Sequence, residues 1–242
     1  MSAGNGTGGV KAVVFDLDDT LFDCLGQCVG PAHREAARAM VEAGARATVE
    51  EVLQARLALA GVEPDVDSAV AATFRSVQPV RVAEAGRRAF YDRDPGPLQP
   101  FPFAKEVLLR VRPRCRTVLL TLGHPPTQKR KLAALGLADA FDEVVHDDVF
   151  GRRGKEEALR TWLLASGLTA RDVLVVGDRA DAEVAAALRL GMHALRIRGG
   201  EFAVRPTPPG VPEADDVRAV LAWLDLPPIE EPASATPPPA TA

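Results

Sequence analysis

The feature that most constrains this chain lies in residues 10–22, Val-Lys-Ala-Val-Val-Phe-Asp-Leu-Asp-Asp-Thr-Leu-Phe. Val13, Val14 and Phe15 form a short β-favouring run that ends at once on Asp16, Asp18 and Asp19, three carboxylates in four positions, with Thr20 after them. An apolar run of this kind reads as a buried strand that opens onto charge. In an open α/β sheet, ligands bind beyond the carboxyl ends of the strands, so Asp16 and Asp18 are expected in that crevice, delivered by a rigid element. A strand followed by an acidic turn is the plainer reading, and the spacing and the neighbouring residues weigh against it.

From residue 100 onward, helix-like and strand-like segments alternate. Phe101-Pro102-Phe103 precedes a helix bearing Val107, Leu108 and Val111, and residues 117–121 read as the second strand. Residues 127–135 form a helix stopped by Gly136, residues 143–146 a short strand, and residues 155–166 a helix stopped by Gly167. A strongly β-favouring strand follows at 172–176, a helix at 181–190 ended by Gly191, a last strand at 192–197 and a closing helix at 217–224. This rhythm implies a doubly wound, mostly parallel, Rossmann-like α/β core of about five strands with helices on both faces. Between the first and second strands the pattern changes. Residues 33–43, 49–59 and 68–91 are alanine-rich with helical spacing, the last as one helix or two, and Gly44, Pro64 and Pro95-Gly96-Pro97 punctuate them. Residues 23–99 therefore read as an inserted α-helical domain, and residues 10–22 with 100–226 as the core. The glycine-rich residues 1–9 read as a flexible leader, and the Pro, Ala and Thr of residues 227–242 as a disordered tail.

Composition excludes several classes of function. At 242 residues and 47% hydrophobic content the chain can bury a sizeable core, and a formal charge of −4 provides no general attraction to nucleic acid or anionic membrane. No apolar run approaches the ~20 residues that span a bilayer, and the start lacks a secretory pattern, so a cytoplasmic location is expected. Cys24, Cys28 and Cys115 make an odd count with no Cys-x-x-Cys pair, which suggests reduced thiols and neither a disulfide framework nor a zinc site. Cys24 and Cys28 share a helix face and read as packing residues, while His33, His146 and His193 are scattered singly.

Four places in the core put chemistry at strand ends or helix starts. They are Asp16 with Asp18, Thr121 at the end of the second strand, Lys155 after Gly154, and Gly177-Asp178 closing the strand Val173-Leu174-Val175-Val176. A strand followed by Asp-x-Asp-x-Thr, with the other three in this order, resembles the four motifs of the haloacid dehalogenase (HAD) superfamily of aspartate-nucleophile hydrolases. The resemblance runs from Val10 to about Leu226, and its first and fourth motifs are the specific ones. It implies that Asp16 is the nucleophile, that Asp18 is the general acid and base, and that residues 23–99 are the cap that reads the substrate. It implies as well that Thr121 and Lys155 hold the phosphoryl oxygens, and that Mg²⁺ is bound by Asp16, the backbone carbonyl of Asp18 and Asp178. The chemistry is coherent, because a carboxylate attacking a phosphate dianion meets like charge and needs a divalent cation and a fixed lysine to neutralise it. Asp181 or Glu183 would be the second acidic residue of the fourth motif, binding the metal's waters, and Glu183 has the better spacing.

The implied activity is Mg²⁺-dependent hydrolysis of a small phosphorylated metabolite through an aspartyl-phosphate at Asp16. A dehalogenase and a phosphomutase are alternatives within the superfamily; the dehalogenating branch lacks an acidic residue at the position of Asp18. A phosphate-binding regulatory module without turnover is the alternative from another class, and the filled catalytic positions weigh against it. Two departures stand out: Leu122 where Asn commonly follows the Thr, and Glu156 where Pro commonly follows the Lys. Gly151-Arg152-Arg153-Gly154 reads as a solvated turn, with a second hold on the phosphate as the alternative, and Asp147-Asp148 reads as a turn. Lys155 by itself would pass for the solvated start of an acidic helix.

Overall fold

A computed structural model describes residues 9–60, 62–123, 125–147, 154–200 and 202–230. Its sheet holds six parallel strands in the order β3-β2-β1-β4-β5-β6. These are β1 (Ala12–Phe15), β2 (Arg116–Leu122), β3 (Glu143–Asp147), β4 (Val173–Gly177), β5 (His193–Ile197) and β6 (Glu213–Ala214). β1 lies between β2 and β4, with Phe15 opposite Leu119 on one side and Val176 on the other. That central place explains its unbroken apolar run, since a parallel strand covered on both faces has no solvent side to make polar. The strand order also reverses there: the chain runs outward from β1 to β2 and β3, then crosses back to β4 on the opposite flank. Asp16 leaves the sheet at this switch point, where a ligand crevice opens.

Alternate residues along the strands build two cores. Val13, Phe15, Leu119, Leu174 and Val176 pack under α5 (Ala104–Val111), α6 (Pro125–Leu135) and α9 (Val220–Trp223). Ala12, Val14, Val118, Leu120, Val173 and Val175 face α7 (Gly154–Ser166) and α8 (Ala185–Leu190). Between β1 and β2 come α1 (Gly30–Glu42), α2 (Val49–Leu59), α3 (Val66–Thr73) and α4 (Pro79–Tyr91), with a third core of their own around Met40, Val52, Leu53, Val70 and Val82. The region expected as one helix or two is two, because Pro79 at the start of α4 has no N–H to give to a continuing helix and its ring would clash with the turn before it. Thr48 and Glu51 form a reciprocal capping box at the start of α2. α1 starts earlier than the sequence pattern suggested, continuing from a π-helical turn at Leu25–Val29. Asp19, held at φ 58°, accepts hydrogen bonds from the Cys24 and Leu25 amides with one carboxylate oxygen and so anchors that turn.

The insertion leaves and returns at one spot. Phe22 bridges to Pro100, the Phe101 amide donates to the Leu21 carbonyl at 2.8 Å, and the Gln27 side chain exchanges hydrogen bonds with the backbone of Gln99. Three expectations need correction. A sixth strand, β6, was not legible because it has only two residues, and its pairing relies on Arg196, a fully buried guanidinium that grips the chain between β5 and β6 at the Phe202 and Arg205 carbonyls and at Thr207. Asp147 is the buried last residue of β3, its carbonyl accepting a hydrogen bond from the Gly123 amide just past β2 at 3.2 Å, and is no turn. Ile229, expected in a disordered tail, is buried in the core against α9's side of the sheet. Residues 1–8 of the expected leader, residues 231–242 of the expected tail and Asp148 lie outside the described residues, as do Gly151 to Arg153 of the expected solvated turn. Cys24, Cys28 and Cys115 are free and buried. Among the described residues, no helix is long and apolar enough to cross a membrane.

The core of the insertion contains a titrating group. His33 on α1 is buried edge-on to Phe90, its Nδ1 has no hydrogen-bond partner, and burial together with the nearby Arg56 guanidinium lowers its pKa to about 4. Arg56 is itself buried and paired with Asp67. Because the folded pKa lies below the unfolded value near 6.5, the unfolded chain binds the extra proton, and stability from this site is present above pH 6.5 and lost as pH falls toward 4. Thermal melts from pH 7 to pH 4.5 should therefore show a larger drop in Tm for the wild type than for His33→Gln, and parallel curves would show that His33 is not the group responsible.

Candidate active site

Four elements bring the chemistry together. β1 ends at Phe15 and delivers Asp16, whose amide donates to the Val176 carbonyl at 2.9 Å, so the nucleophile candidate is tied to both strands of the switch point. β4 ends at Gly177 and delivers Asp178; a Cβ on Gly177 would sit 2.6 Å from Glu183 Oε1, so only glycine lets that side chain fold back over the strand end. α7 presents Lys155 in its first turn, and a π-helical turn at Ala180–Val184 presents Glu183. Lys155 Nζ donates to Asp16 Oδ1 at 2.5 Å and to Glu183 Oε2 at 2.7 Å, and the Arg179 amide donates to Glu183 Oε1 at 2.7 Å. Asp16, Asp178 and Glu183 each offer a carboxylate oxygen within 4.8 Å of the others. All four side chains are buried.

The electrostatics of this cluster are lopsided, with three carboxylates facing one ammonium. Burial works against the charge on Lys155, but Asp16 first and Glu183 second outweigh it and hold the ammonium protonated. For the acids the balance goes the other way. Burial pushes Asp16 up to about 7 despite Lys155, with Glu183 and Asp18 adding to the rise. Burial, then Asp16, then Glu183 push Asp178 up to about 9. Carboxylates this crowded resist ionising together unless a cation joins them, and their donor set is all oxygen. The residues present therefore fit a hard divalent cation.

The structure brings together Asp16, Asp178, Glu183 and Lys155 from the sequence-derived set, and it separates Asp181 from them. Asp181 is half-exposed and pairs with Arg179 and Arg205, whereas Glu183 is fully buried in the cluster. Thr121 is buried near the end of β2, the strand beside β1, two positions beyond the partner of Phe15. Asp18 lies at the edge, partly open to a cavity of about 190 Å³ between the core and the insertion. At the departure after Thr121, the Leu122 carbonyl accepts a hydrogen bond from Gln128 Nε2 at 2.7 Å, so the side-chain contact that an Asn could offer is absent and the backbone is fixed from α6.

One residue near the site was missed. Lys131 of α6 donates to both carboxylate oxygens of Asp18, at 2.9 Å each. In the sequence it sits in Lys129-Arg130-Lys131 and reads as part of a solvated basic run. The signal that could have found it is its helical phase: Gln128, Lys131, Leu132 and Leu135 share the buried face of α6.

Residues 10–191 match the family model of the haloacid dehalogenase-like hydrolases. The chain belongs to that family. It is 29% identical over 201 residues to the glyceraldehyde 3-phosphate phosphatase of Methanocaldococcus jannaschii, covering 80% of this chain and 87% of the relative. It is 30% identical over 202 residues to the enzyme of the same name from Methanopyrus kandleri, covering 80% and 86%. Among solved structures, the HAD-hydrolase YfnB of Bacillus subtilis, bound to magnesium, superposes with a TM-score of 0.66 at 16% identity, covering 90% of this chain and all of that one. The fold and the hydrolase family of this chain thus agree with the reading of its four motifs.

The placement of the two acidic candidates after Asp178 generates a test. Glu183→Gln should lower kcat/KM at least about tenfold, because it weakens the hold on Lys155 and removes charge from the cluster, while Asp181→Asn should stay within about threefold of wild type. Steady-state kinetics on the two variants separates the roles; the reverse ranking would assign the position to Asp181.

Proposed function

We propose that this haloacid dehalogenase-like phosphatase hydrolyses the phosphomonoester of a small, three-carbon class of metabolite, with Mg²⁺ as its metal and an aspartyl-phosphate on Asp16 as its intermediate. The observation that carries the reading is the buried cluster of Asp16, Asp178, Glu183 and Lys155 at the switch point of the sheet. Its oxygen-only donors and excess negative charge suit Mg²⁺, and YfnB, which shares the fold, binds magnesium. Asp16, the backbone carbonyl of Asp18 and Asp178 would hold the ion, with Glu183 on its waters; bound there, it supplies positive charge that offsets the repulsion between nucleophile and phosphoryl group.

The chain's own residues then do the following. The Asp16 carboxylate attacks phosphorus, and the ester oxygen departs with its bonding pair and takes a proton from Asp18. Asp18, now a carboxylate, removes a proton from water as the water oxygen attacks phosphorus, and the bond to Asp16 breaks to release inorganic phosphate. Lys155 sits beside the attacking oxygen throughout and stabilises charge on the transferring group, as Thr121 would by donating to a phosphoryl oxygen. Residues 23–99 act as the cap. Their share of the cavity beside Asp18 includes Phe90, Tyr91 and Arg93, and its volume of about 190 Å³ suits a leaving group of a few heavy atoms carrying oxygen. Relatives in the same family act on glyceraldehyde 3-phosphate, which has such a leaving group.

A phosphatase screen over triose phosphates, hexose phosphates and nucleotides should rank the triose phosphates first by kcat/KM. Chelation of divalent ions should abolish the activity, and Mg²⁺ should restore it. Asp16→Asn should fall at least about a hundredfold in kcat while keeping its melting behaviour. A folded Asp16→Asn variant with near-wild-type turnover would remove Asp16 from the role of nucleophile.

A further inference from the structure

We propose that Lys131 is the positioning residue for the Asp18 carboxylate, fixing the acid and base of the reaction in place from α6; this rests on the phosphatase reading above. Three contacts define its ammonium. It lies 2.9 Å from both oxygens of Asp18, 3.3 Å from Cys24 Sγ and 5.8 Å from the centre of the Phe22 ring, and the side chain is 11% exposed. One donor equidistant from both oxygens of a carboxylate resists rotation of that carboxylate, because any turn lengthens one of the two contacts. Gln128, one turn earlier on the same face, brings Nε2 to 3.4 Å from Asp18 Oδ2 while holding the Leu122 carbonyl, so Asp18 is referenced to α6 and to the end of β2 together.

Stability does not account for the arrangement. Removing an ammonium from water is unfavourable before its pairing returns anything, and an apolar side chain would fill the same face of α6 beside Leu132 and Leu135 as well. Asp18, by contrast, is partly exposed and opens onto the cavity, and without an anchor its side chain would sample several rotamers there. Cys24 and Phe22 place the anchor at the point where the chain passes from the core into the insertion, so the acid and base are held beside that junction. Lys131 touches no reacting atom in this scheme. It acts through Asp18.

The test uses the full chain and two esters. With an alkyl phosphate, whose poor leaving group needs Asp18 as acid, Lys131→Met should lose about 10- to 100-fold in kcat/KM; with p-nitrophenyl phosphate, whose phenolate leaves unaided, it should lose less than about threefold. Lys131→Arg should recover part of the alkyl activity, because a guanidinium can also engage both oxygens. Adding Lys131→Met to Asp18→Asn should change kcat/KM less than about twofold, since the partner is already gone. Melting curves verify folding, and Lys131→Gln replaces the Met variant should that one fail to fold. Equal losses on both esters, or additive losses in the double variant, overturn the role of Lys131 alone. A folded wild type inert toward both esters overturns the phosphatase reading instead, and this inference with it.

Discussion

The ammonium of Lys155, buried between Asp16 and Glu183, is the interaction around which the rest of this structure is arranged. A buried lysine is tolerable only where negative charge meets it on arrival, and three carboxylates from two strand ends and a helix start do so here. They also overshoot. Burial first, and the neighbouring carboxylates after it, push Asp16 and Asp178 upward, so the charged cluster is costly in the protein alone and suits a cation.

That arrangement depends on the geometry of a parallel sheet. Asp16 and Asp178 are consecutive in space because β1 and β4 are neighbours in register, with Phe15 opposite Val176. Gly177 then leaves room for Glu183 to reach back to Lys155, and the wide π-helical turn after Arg179 brings it round. The cores on both faces of the sheet support these ends, while the insertion has a core of its own and meets the sheet domain at the Phe22–Pro100 bridge and at α6, where Lys131 reaches Cys24 and Arg130 reaches the Tyr91 carbonyl.

How far this was legible in the sequence varied with the type of signal. The long periodic helices and the apolar strands were plain, because burial on one face or two leaves a pattern in the residues themselves. Short elements were not: β6 has two residues, and the burial of Ile229 follows from where the chain happens to pass. Asp147 read as a turn because two adjacent acids ordinarily mark one, yet the register of β3 beside β2 carries it to the end of the strand.

The sequence by itself determined the architecture and which charged groups meet at one end of the sheet, because strand ends in a doubly wound sheet converge whatever the details, and Asp16, Lys155 and Asp178 each sit at such an end or at the helix start facing it. Only the tertiary structure showed which of Asp181 and Glu183 turns into the cluster, since both follow Asp178 at short range and the difference is whether the turn points a side chain outward to Arg205 or inward to Lys155. The same holds for Lys131, which shares its composition with two basic neighbours and differs from them only in helical phase. Charge type is written in the chain, but the burial that gives a charge its chemical consequence is a property of packing between segments 113 residues apart, as Asp18 and Lys131 are.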